Sequence, residues 1–180
     1  PEKLNAGYEL TDAMVEKGFG DHTALIGNGR QRTYKELADW TNRLAHVLKD
    51  DLGIVPGNRV LIRSANNPAM VACWLAATKV GAVVVNTMPM LRAHELQRYI
   101  EKAEISHALS DKRLIDELQE CAETCKSLRT VVGFDGSSNH DAELDQLAIE
   151  KPVGFESVRT GRDDVALLGF TSGSTGEPKA

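Results

Sequence analysis

The strongest constraint on the fold is a strand–helix–strand pattern in the middle of the chain. NRVLIRS (58–64) and the valine run 83–85 are apolar strands, and a helix predicted from Ala69 to Val80 joins them. This helix starts after the pair Asn67-Pro68 and carries a single charge, Lys79. Continuous apolar strands are typical of parallel sheets covered on both faces. The pattern therefore predicts a right-handed βαβ unit.

The same alternation of strands and helices extends along most of the chain. Thr33 and Glu36 form a capping box that starts a helix before the βαβ unit. The segments ISHAL (105–109), TVVGF (130–134) and VALLGF (165–170) are further predicted strands. We therefore predict an α/β fold of layered βαβ units around a mainly parallel sheet.

Composition excludes several classes of protein. The chain has 180 residues, enough for one domain with a real core, and a net charge of −5. A nucleic-acid partner would require basic clusters, which are absent from the sequence. No apolar run approaches the roughly 20 residues that span a membrane, and the first ten residues do not resemble a signal peptide. We therefore expect a cytoplasmic protein with neither a nucleic-acid nor a membrane partner.

The cysteines and histidines are predicted to be structural. Leu118, Cys121 and Cys125 follow a +3, +4 spacing that is typical of the buried face of a helix. No further cysteine pair or histidine cluster completes a metal site, so no metal ligand is predicted. Cys73 lies in the apolar helix, and His107 lies within a predicted strand, where a hydrogen-bonded core histidine is favoured.

The string Gly27-Asn28-Gly29 begins like a dinucleotide-binding fingerprint but does not complete it. The fingerprint requires a third glycine at position 32, where this chain has Arg32, and a helix directly afterwards. Asparagine and glycine both tolerate positive φ, so the pair Asn28-Gly29 is instead predicted to be the turn of a β-hairpin.

The segment GFTSGSTGEPKA (169–180) directly follows the strand VALLGF. We call it the glycine–hydroxyl loop. In parallel α/β sheets ligands bind beyond the carboxyl ends of the strands, and glycines let backbone amides approach an anion. Lys179 adds a positive charge, but Gly176 is followed by Glu177, so the loop is not a Walker A motif. A phosphate-binding loop and a flexible glycine–serine connector are both compatible with this composition.

The loop resembles the signature of the adenylate-forming enzymes, which include acyl- and aryl-CoA synthetases, luciferases and peptide-synthetase adenylation domains. Upstream segments are similar to that family in order and spacing over nearly the whole chain. They are TYKELADWTNRLAHVL, GIVPGNRVLI, NNPAMVACWLAATKVGAVVVNTMPML and ISHALSD. Within the family, the region from Val55 to Leu96 most resembles benzoate and 2-aminobenzoate CoA ligases.

The resemblance implies a two-step reaction. A carboxylate attacks the α-phosphorus of ATP to give an acyl-adenylate and pyrophosphate, and the thiol of coenzyme A then displaces AMP. It implies a small-molecule carboxylic acid as substrate, with Mg2+ accompanying ATP, and a catalytic role for Lys179. The residues implied to bind the β- and γ-phosphates are Thr171, Ser172, Gly173, Ser174, Thr175, Gly176 and Lys179. Ala180 departs from the glycine that many members carry.

The resemblance also implies that residues 1–180 are an incomplete N-terminal α/β domain, the first portion of the family's large domain, which ends at the loop 169–180. We therefore expect the isolated chain to be catalytically inactive and to expose apolar surface through which a homodimer could form. The alternative is a non-catalytic nucleotide-binding or interaction module with the same fold.

Overall fold

The structure is a computed structural model and describes residues 2–137, 139–171 and 179. Within these residues, five parallel strands form one sheet in the order β6-β5-β3-β4-β7, and two antiparallel strands form a hairpin. The strands are β1 (Thr23–Gly27), β2 (Arg30–Thr33), β3 (Arg59–Arg63), β4 (Val83–Thr87), β5 (His107–Asp111), β6 (Thr130–Phe134) and β7 (Leu167–Leu168).

Helices connect the strands and precede the hairpin. The α-helices are α1 (Ala6–Glu9), α2 (Asp12–Met14), α3 (Tyr34–His46), α4 (Pro68–Lys79), α5 (Ala93–Lys102), α6 (Asp116–Thr124) and α7 (Glu143–Ala148). Two π-helical segments, Val15–Phe19 and Val47–Asp51, follow α2 and α3, and a 3-10 turn, Lys112–Leu114, precedes α6. None of the helices in the described part of the chain combines the length and hydrophobicity needed to cross a bilayer.

The sheet is covered on both faces, as the apolar strands predicted. Val60 and Ile62 of β3 pack into a core cluster with residues of α3, α4 and α7. Leu61, between them, points to the opposite face and joins a second cluster with residues of α5 and α6. Alternate side chains of β3 therefore pack into two cores on opposite faces of the sheet, which confirms the layered α/β fold.

The central βαβ unit forms as predicted. β3 and β4 are parallel, with Arg59 opposite Val83 and Arg63 opposite Thr87, and α4 connects them. The side chain of Asn67 accepts a hydrogen bond from the Met70 amide at 2.9 Å, so it caps the start of α4.

The hairpin and the following helix start are also confirmed. Asn28 and Gly29 connect β1 and β2 and have φ values of 51° and 71°. A tight hairpin turn of this kind requires positive φ at both residues, which asparagine and glycine tolerate. Thr33 caps α3, since its hydroxyl accepts from the Glu36 amide at 3.2 Å while the Glu36 carboxylate accepts from the Thr33 amide at 2.8 Å. A dinucleotide-binding turn is therefore excluded at this position.

The cysteines and His107 have the predicted structural character, with one correction. Cys73, Cys121 and Cys125 are free and buried, and burial raises the pKa of the Cys121 thiol to about 11. Cys125 lies just beyond the end of α6 with an extended backbone, so the helical stripe predicted to include it ends at Cys121. His107 is buried, and its ring nitrogens lie 2.8 Å from the Ser106 hydroxyl and 3.1 Å from the Leu52 carbonyl oxygen.

A buried polar cluster that the sequence did not predict joins α2, α3 and α4. The side chain of Lys79 is fully buried, and its ammonium donates to the Asp12 carboxylate and to the Asn42 amide oxygen. The Asn42 side-chain nitrogen in turn donates to Asp12 and to the Val153 carbonyl oxygen, both at 2.8 Å. The ammonium of Lys79, the single charge of α4, therefore links α2, α3 and α4 through hydrogen bonds.

Burial affects the two ions of this cluster differently. Burial alone would raise the pKa of the Asp12 carboxyl, but hydrogen bonds from Lys79 and Asn42 outweigh it and hold the pKa below the usual value. Burial lowers the pKa of Lys79, and the contact with Asp12 offsets this only in part. The asymmetry has a geometric cause, since the Asp12 side chain keeps 20% of its surface exposed whereas that of Lys79 keeps none.

Gly7 is required where α1 packs against α4. A Cβ atom at this position would lie 2.5 Å from the Leu75 carbonyl oxygen and 2.6 Å from the Cγ atom of Lys79. We expect Gly7→Ala to lower the free energy of unfolding, measured with urea, by about 1–3 kcal/mol because α1 must move outward. Gly154→Ala is the control, since a Cβ at Gly154 would meet nothing within 4 Å. Equal losses for the two variants would contradict the prediction.

Candidate phosphate-binding site

The chain leaves the last strand, β7, at the edge of the sheet where the carboxyl ends of the strands lie. β7 is parallel to β4, with Val84 opposite Leu167 and Val85 opposite Leu168. Since all five strands are parallel, their carboxyl ends share one edge, which we call the carboxyl rim. The predicted strand 165–170 is shorter than expected, because only Leu167–Leu168 pairs, but the glycine–hydroxyl loop leaves from the predicted edge.

The two ends of the glycine–hydroxyl loop meet. The Thr171 amide donates to the Lys179 carbonyl oxygen at 2.8 Å, and the Lys179 amide donates to the Thr171 carbonyl oxygen at 3.0 Å. Both residues are exposed. We call this pair of bonds the loop base. The other predicted phosphate-binding residues, which are Ser172, Gly173, Ser174, Thr175 and Gly176, lie outside the described residues.

The loop base places a hydroxyl and an ammonium side chain at the carboxyl rim. Lys179 is exposed, and it makes no ion pair with any residue that the structure describes. Hydroxyls and ammonium groups both donate to phosphate oxygens, and each such bond to a charged group contributes about 1.5–3 kcal/mol. The Thr171 hydroxyl and the Lys179 ammonium are therefore candidate donors to a phosphate group.

Arg63, which sequence reasoning missed, organises the neighbouring part of the rim. It is the last residue of β3 and is buried, and its guanidinium donates to the carbonyl oxygens of Pro89 at 2.9 Å and Leu91 at 2.6 Å. It also donates to the Glu117 carboxylate at 2.8 Å. The segment after β4 and the start of α6 are thus fixed by one side chain. The available sequence signal was a charged residue directly after the apolar run 60–62.

Two buried carboxylates at the ends of β5 and β6 stabilise loops. Burial alone would raise the pKa of Asp135, but hydrogen bonds from the Ser137 amide and hydroxyl and from the Asn139 amide hold it well below the usual value. Asp111 contacts the Arg113 guanidinium at 2.5 and 3.0 Å, and this partner likewise keeps its pKa low against the effect of burial. Both carboxylates are therefore ionised and internally satisfied.

The described residues offer no ready magnesium site. Among positions 2–137, 139–171 and 179 there is no group of three or more His, Cys, Asp or Glu side chains that could hold a metal ion. Among these described positions we therefore assign no residue to Mg2+.

The opposite edge of the sheet carries a groove of about 450 Å³. Gly81 and Val83 line it at the amino end of β4, and Val158 and Val165 line it from the connector that precedes β7. Ligands of parallel α/β sheets bind at the carboxyl ends of strands. The groove therefore lies on the wrong side of the sheet to be part of the predicted phosphate site.

Residues 13–180 match the family described as AMP-binding enzyme, so the chain belongs to that family. This membership agrees with the resemblance to adenylate-forming enzymes.

Individual relatives are named as CoA ligases. The chain is 29% identical to a 3-hydroxybenzoate–CoA ligase of Aromatoleum sp. (strain CIB), over 98% of this chain and 34% of the relative. It is 31% identical to the uncharacterized acyl–CoA ligase YtcI of Bacillus subtilis (strain 168), over 96% of this chain and 33% of the relative. The chain therefore spans about a third of the length of the curated relatives it matches.

Solved structures share the fold. The anthranilate CoA ligase AuaEII, solved in complex with anthranoyl-AMP, aligns with a TM-score of 0.86 at 20% identity, over 99% of this chain and 33% of that one. ATP-bound MatB from Rhodopseudomonas palustris aligns with a TM-score of 0.81 at 25% identity, over 97% of this chain and 33% of that one. The α/β layers described above are thus those of adenylate-forming enzymes.

Proposed function

We propose that this chain supplies the phosphate-binding part of an ATP-dependent carboxylate–CoA ligase. The observation that carries the proposal is the loop base, in which Thr171 and Lys179 close the loop at the carboxyl rim of the sheet. In this reaction the carboxylate oxygen attacks the α-phosphorus of ATP, and the bond to pyrophosphate breaks. The thiolate of coenzyme A then attacks the acyl carbon, and AMP leaves.

The loop acts by positioning and by charge stabilisation. In the proposed reaction Lys179 is the catalytic residue, since its ammonium balances the negative charge that develops on the leaving pyrophosphate. Thr171, with the hydroxyls and backbone amides of residues 172–176, orients the β- and γ-phosphates. ATP enters as its magnesium complex, and the metal supplies further charge neutralisation when it is bound.

We propose an aromatic acid as the substrate. Support comes from the 3-hydroxybenzoate–CoA ligase at 29% identity and from the resemblance to benzoate and 2-aminobenzoate CoA ligases. Another relative is named as an acetyl-coenzyme A synthetase. It is 29% identical over 98% of this chain and 21% of that relative. Short aliphatic acids therefore belong in the same test.

Pyrophosphate exchange tests this function. In a polypeptide that continues this sequence to the length of its relatives, we expect ATP–pyrophosphate exchange to depend on an added carboxylate. Benzoate, 2-aminobenzoate and 3-hydroxybenzoate are expected to support exchange better than acetate and octanoate, and coenzyme A to convert the product to a thioester. The isolated 180 residues are expected to show no exchange. Absence of exchange with every acid would instead support the non-catalytic nucleotide-binding or interaction module.

We also propose that the isolated chain self-associates through the β7 edge. On its outer side β7 has no partner strand among the described residues. Leu167 in the strand is 49% exposed, and Val165 just before it is 60% exposed. An apolar, unpaired strand edge favours pairing with a second copy. We expect light scattering to show a dimer at high concentration, and a Leu167→Lys variant to shift it to monomer. A wild-type chain that stays monomeric would contradict this.

A cytoplasmic location is part of the same proposal. The three cysteines are all free thiols, which is the usual state in a reducing compartment.

A further inference from the structure

The backbone pairing that holds β7 in the sheet ends before the loop base begins. β4 and β7 pair only at Leu167 and Leu168, and the loop base lies at Thr171 and Lys179. A Cβ added at Gly169, between them, would meet no atom within 4 Å. The backbone pairing between β4 and β7 therefore does not by itself fix the position of the loop base.

A ring stack spans this gap. The rings of Phe170 and Tyr99 lie parallel, with centroids 4.4 Å apart and an interplanar angle of 4°. Both residues pack against the core cluster on the α5 and α6 side of the sheet. Since Phe170 directly precedes Thr171, the stack is the last side-chain contact before the loop base.

Tyr99 is itself held in place. It lies on α5, and Leu96 and Ile100 of the same helix are fully buried in the core. The start of α5 is capped, since the Glu95 carboxylate accepts from the Arg92 amide at 2.9 Å. Arg63 fixes the segment that leads into this cap. The ring of Tyr99 is therefore presented by a rigid helix.

We propose that Tyr99 is a positioning residue for the glycine–hydroxyl loop. It fixes Phe170 by ring stacking, and through Phe170 it fixes the two hydrogen bonds between Thr171 and Lys179. Tyr99 does not need to touch the nucleotide. Its consequence for catalysis rests on the proposed function, but its effect on the loop base does not.

Amide hydrogen exchange on the 180-residue chain tests the proposal without any ligand. In Tyr99→Ala we expect the Thr171 and Lys179 amides to exchange about fivefold faster, which corresponds to the loss of about 1 kcal/mol that a stacked aromatic pair contributes beyond its buried area. Amides of β5 and β6 are expected to keep wild-type rates. Tyr99→Phe is expected to restore slow exchange, since the stack needs only the ring.

Phe155→Ala is the matched control. Phe155 is also a half-buried aromatic residue with a ring contact, at 5.0 Å to His46, but it lies away from the loop. We expect this variant to leave Thr171 and Lys179 exchange unchanged. If Tyr99→Ala does not fold, Phe170→Leu removes the same stack from the other side and is expected to give the same faster exchange.

The result that would overturn the proposal is unchanged Thr171 and Lys179 exchange in Tyr99→Ala, or a Tyr99→Phe variant that exchanges as fast as Tyr99→Ala. Titration of the wild-type chain with magnesium-ATP is a separate arm. Failure of ATP binding alone would count against the proposed function, whereas the exchange rates would still decide the role of Tyr99.

Discussion

Replacement of Lys79 by alanine is expected to lower the free energy of unfolding by about 3–5 kcal/mol, which is the usual cost of removing one partner of a buried ion pair. The variant leaves the Asp12 carboxylate and the Asn42 amide without the ammonium that both contact. It also leaves a cavity in a fully buried position. Urea unfolding followed by circular dichroism measures the loss.

Two further variants separate charge from packing. Lys79→Met removes the ammonium with its charge and hydrogen bonds but keeps most of the side-chain volume, so we expect a smaller loss than for Lys79→Ala. Lys35→Ala removes a lysine whose pair with Asp39 is largely exposed, and such pairs contribute about 0.5 kcal/mol or less. A Lys79→Ala variant as stable as Lys35→Ala would show that the buried cluster does not hold the helices together.

The same cluster predicts an acid dependence of stability. The pKa of Asp12 is lower in the folded chain than its usual value of 3.8, so the folded state favours the carboxylate. Its contribution to stability is therefore fully present above pH 3.8 and is lost as the pH falls through the lower folded pKa. In Lys79→Ala we expect this part of the acid dependence to weaken, because the main partner that lowers the Asp12 pKa is gone.

Replacement of Lys179 by alanine is expected to reduce kcat/KM for acid-dependent ATP–pyrophosphate exchange by about 100-fold, as when one donor to a developing charge is removed. The assay requires a polypeptide of the relatives' length. The physical reason is that an exposed ammonium at the loop base would lose its contact with the leaving pyrophosphate. The variant is expected to keep wild-type stability, because Lys179 is exposed.

Lys126→Ala is the matched control for charge. Lys126 is an exposed lysine in the turn between α6 and β6, at the opposite edge of the sheet from the loop. We expect it to keep wild-type kcat/KM. A Lys179→Ala variant indistinguishable from Lys126→Ala would contradict the proposed role of the loop.

The layers of the fold could be predicted because local patterns determine them. The apolar runs of β3 and β4, the Asn67-Pro68 helix start and the Thr33 capping box each specify one element through neighbouring residues. The loop followed from the same reasoning, since a glycine-rich segment after a parallel strand must leave at the carboxyl rim. Its end residues Thr171 and Lys179 lie at that rim.

The long-range polar contacts could not be predicted in this way. Lys79 meets Asp12 from 67 positions away, and no local pattern indicates which acidic residue it would contact. Arg63 donates to the backbone carbonyl oxygens of Pro89 and Leu91. Since every residue has such an oxygen, the sequence does not indicate which of them Arg63 contacts. β7 is shorter than its apolar sequence suggested, since only Leu167 and Leu168 pair with β4. Val165 and Leu167 are exposed, and the outer side of β7 has no partner strand among the described residues.

The most direct measurement is an NMR titration of the 180-residue chain with magnesium-ATP, followed through backbone amide shifts. We expect saturable shifts at the amides of Thr171, Lys179 and the intervening residues 172–177, and tripolyphosphate is expected to shift the same amides. Shifts confined to the groove near Val158 and Val165, or no shifts at the loop base at saturating ATP, would contradict the assignment of the glycine–hydroxyl loop as the phosphate site.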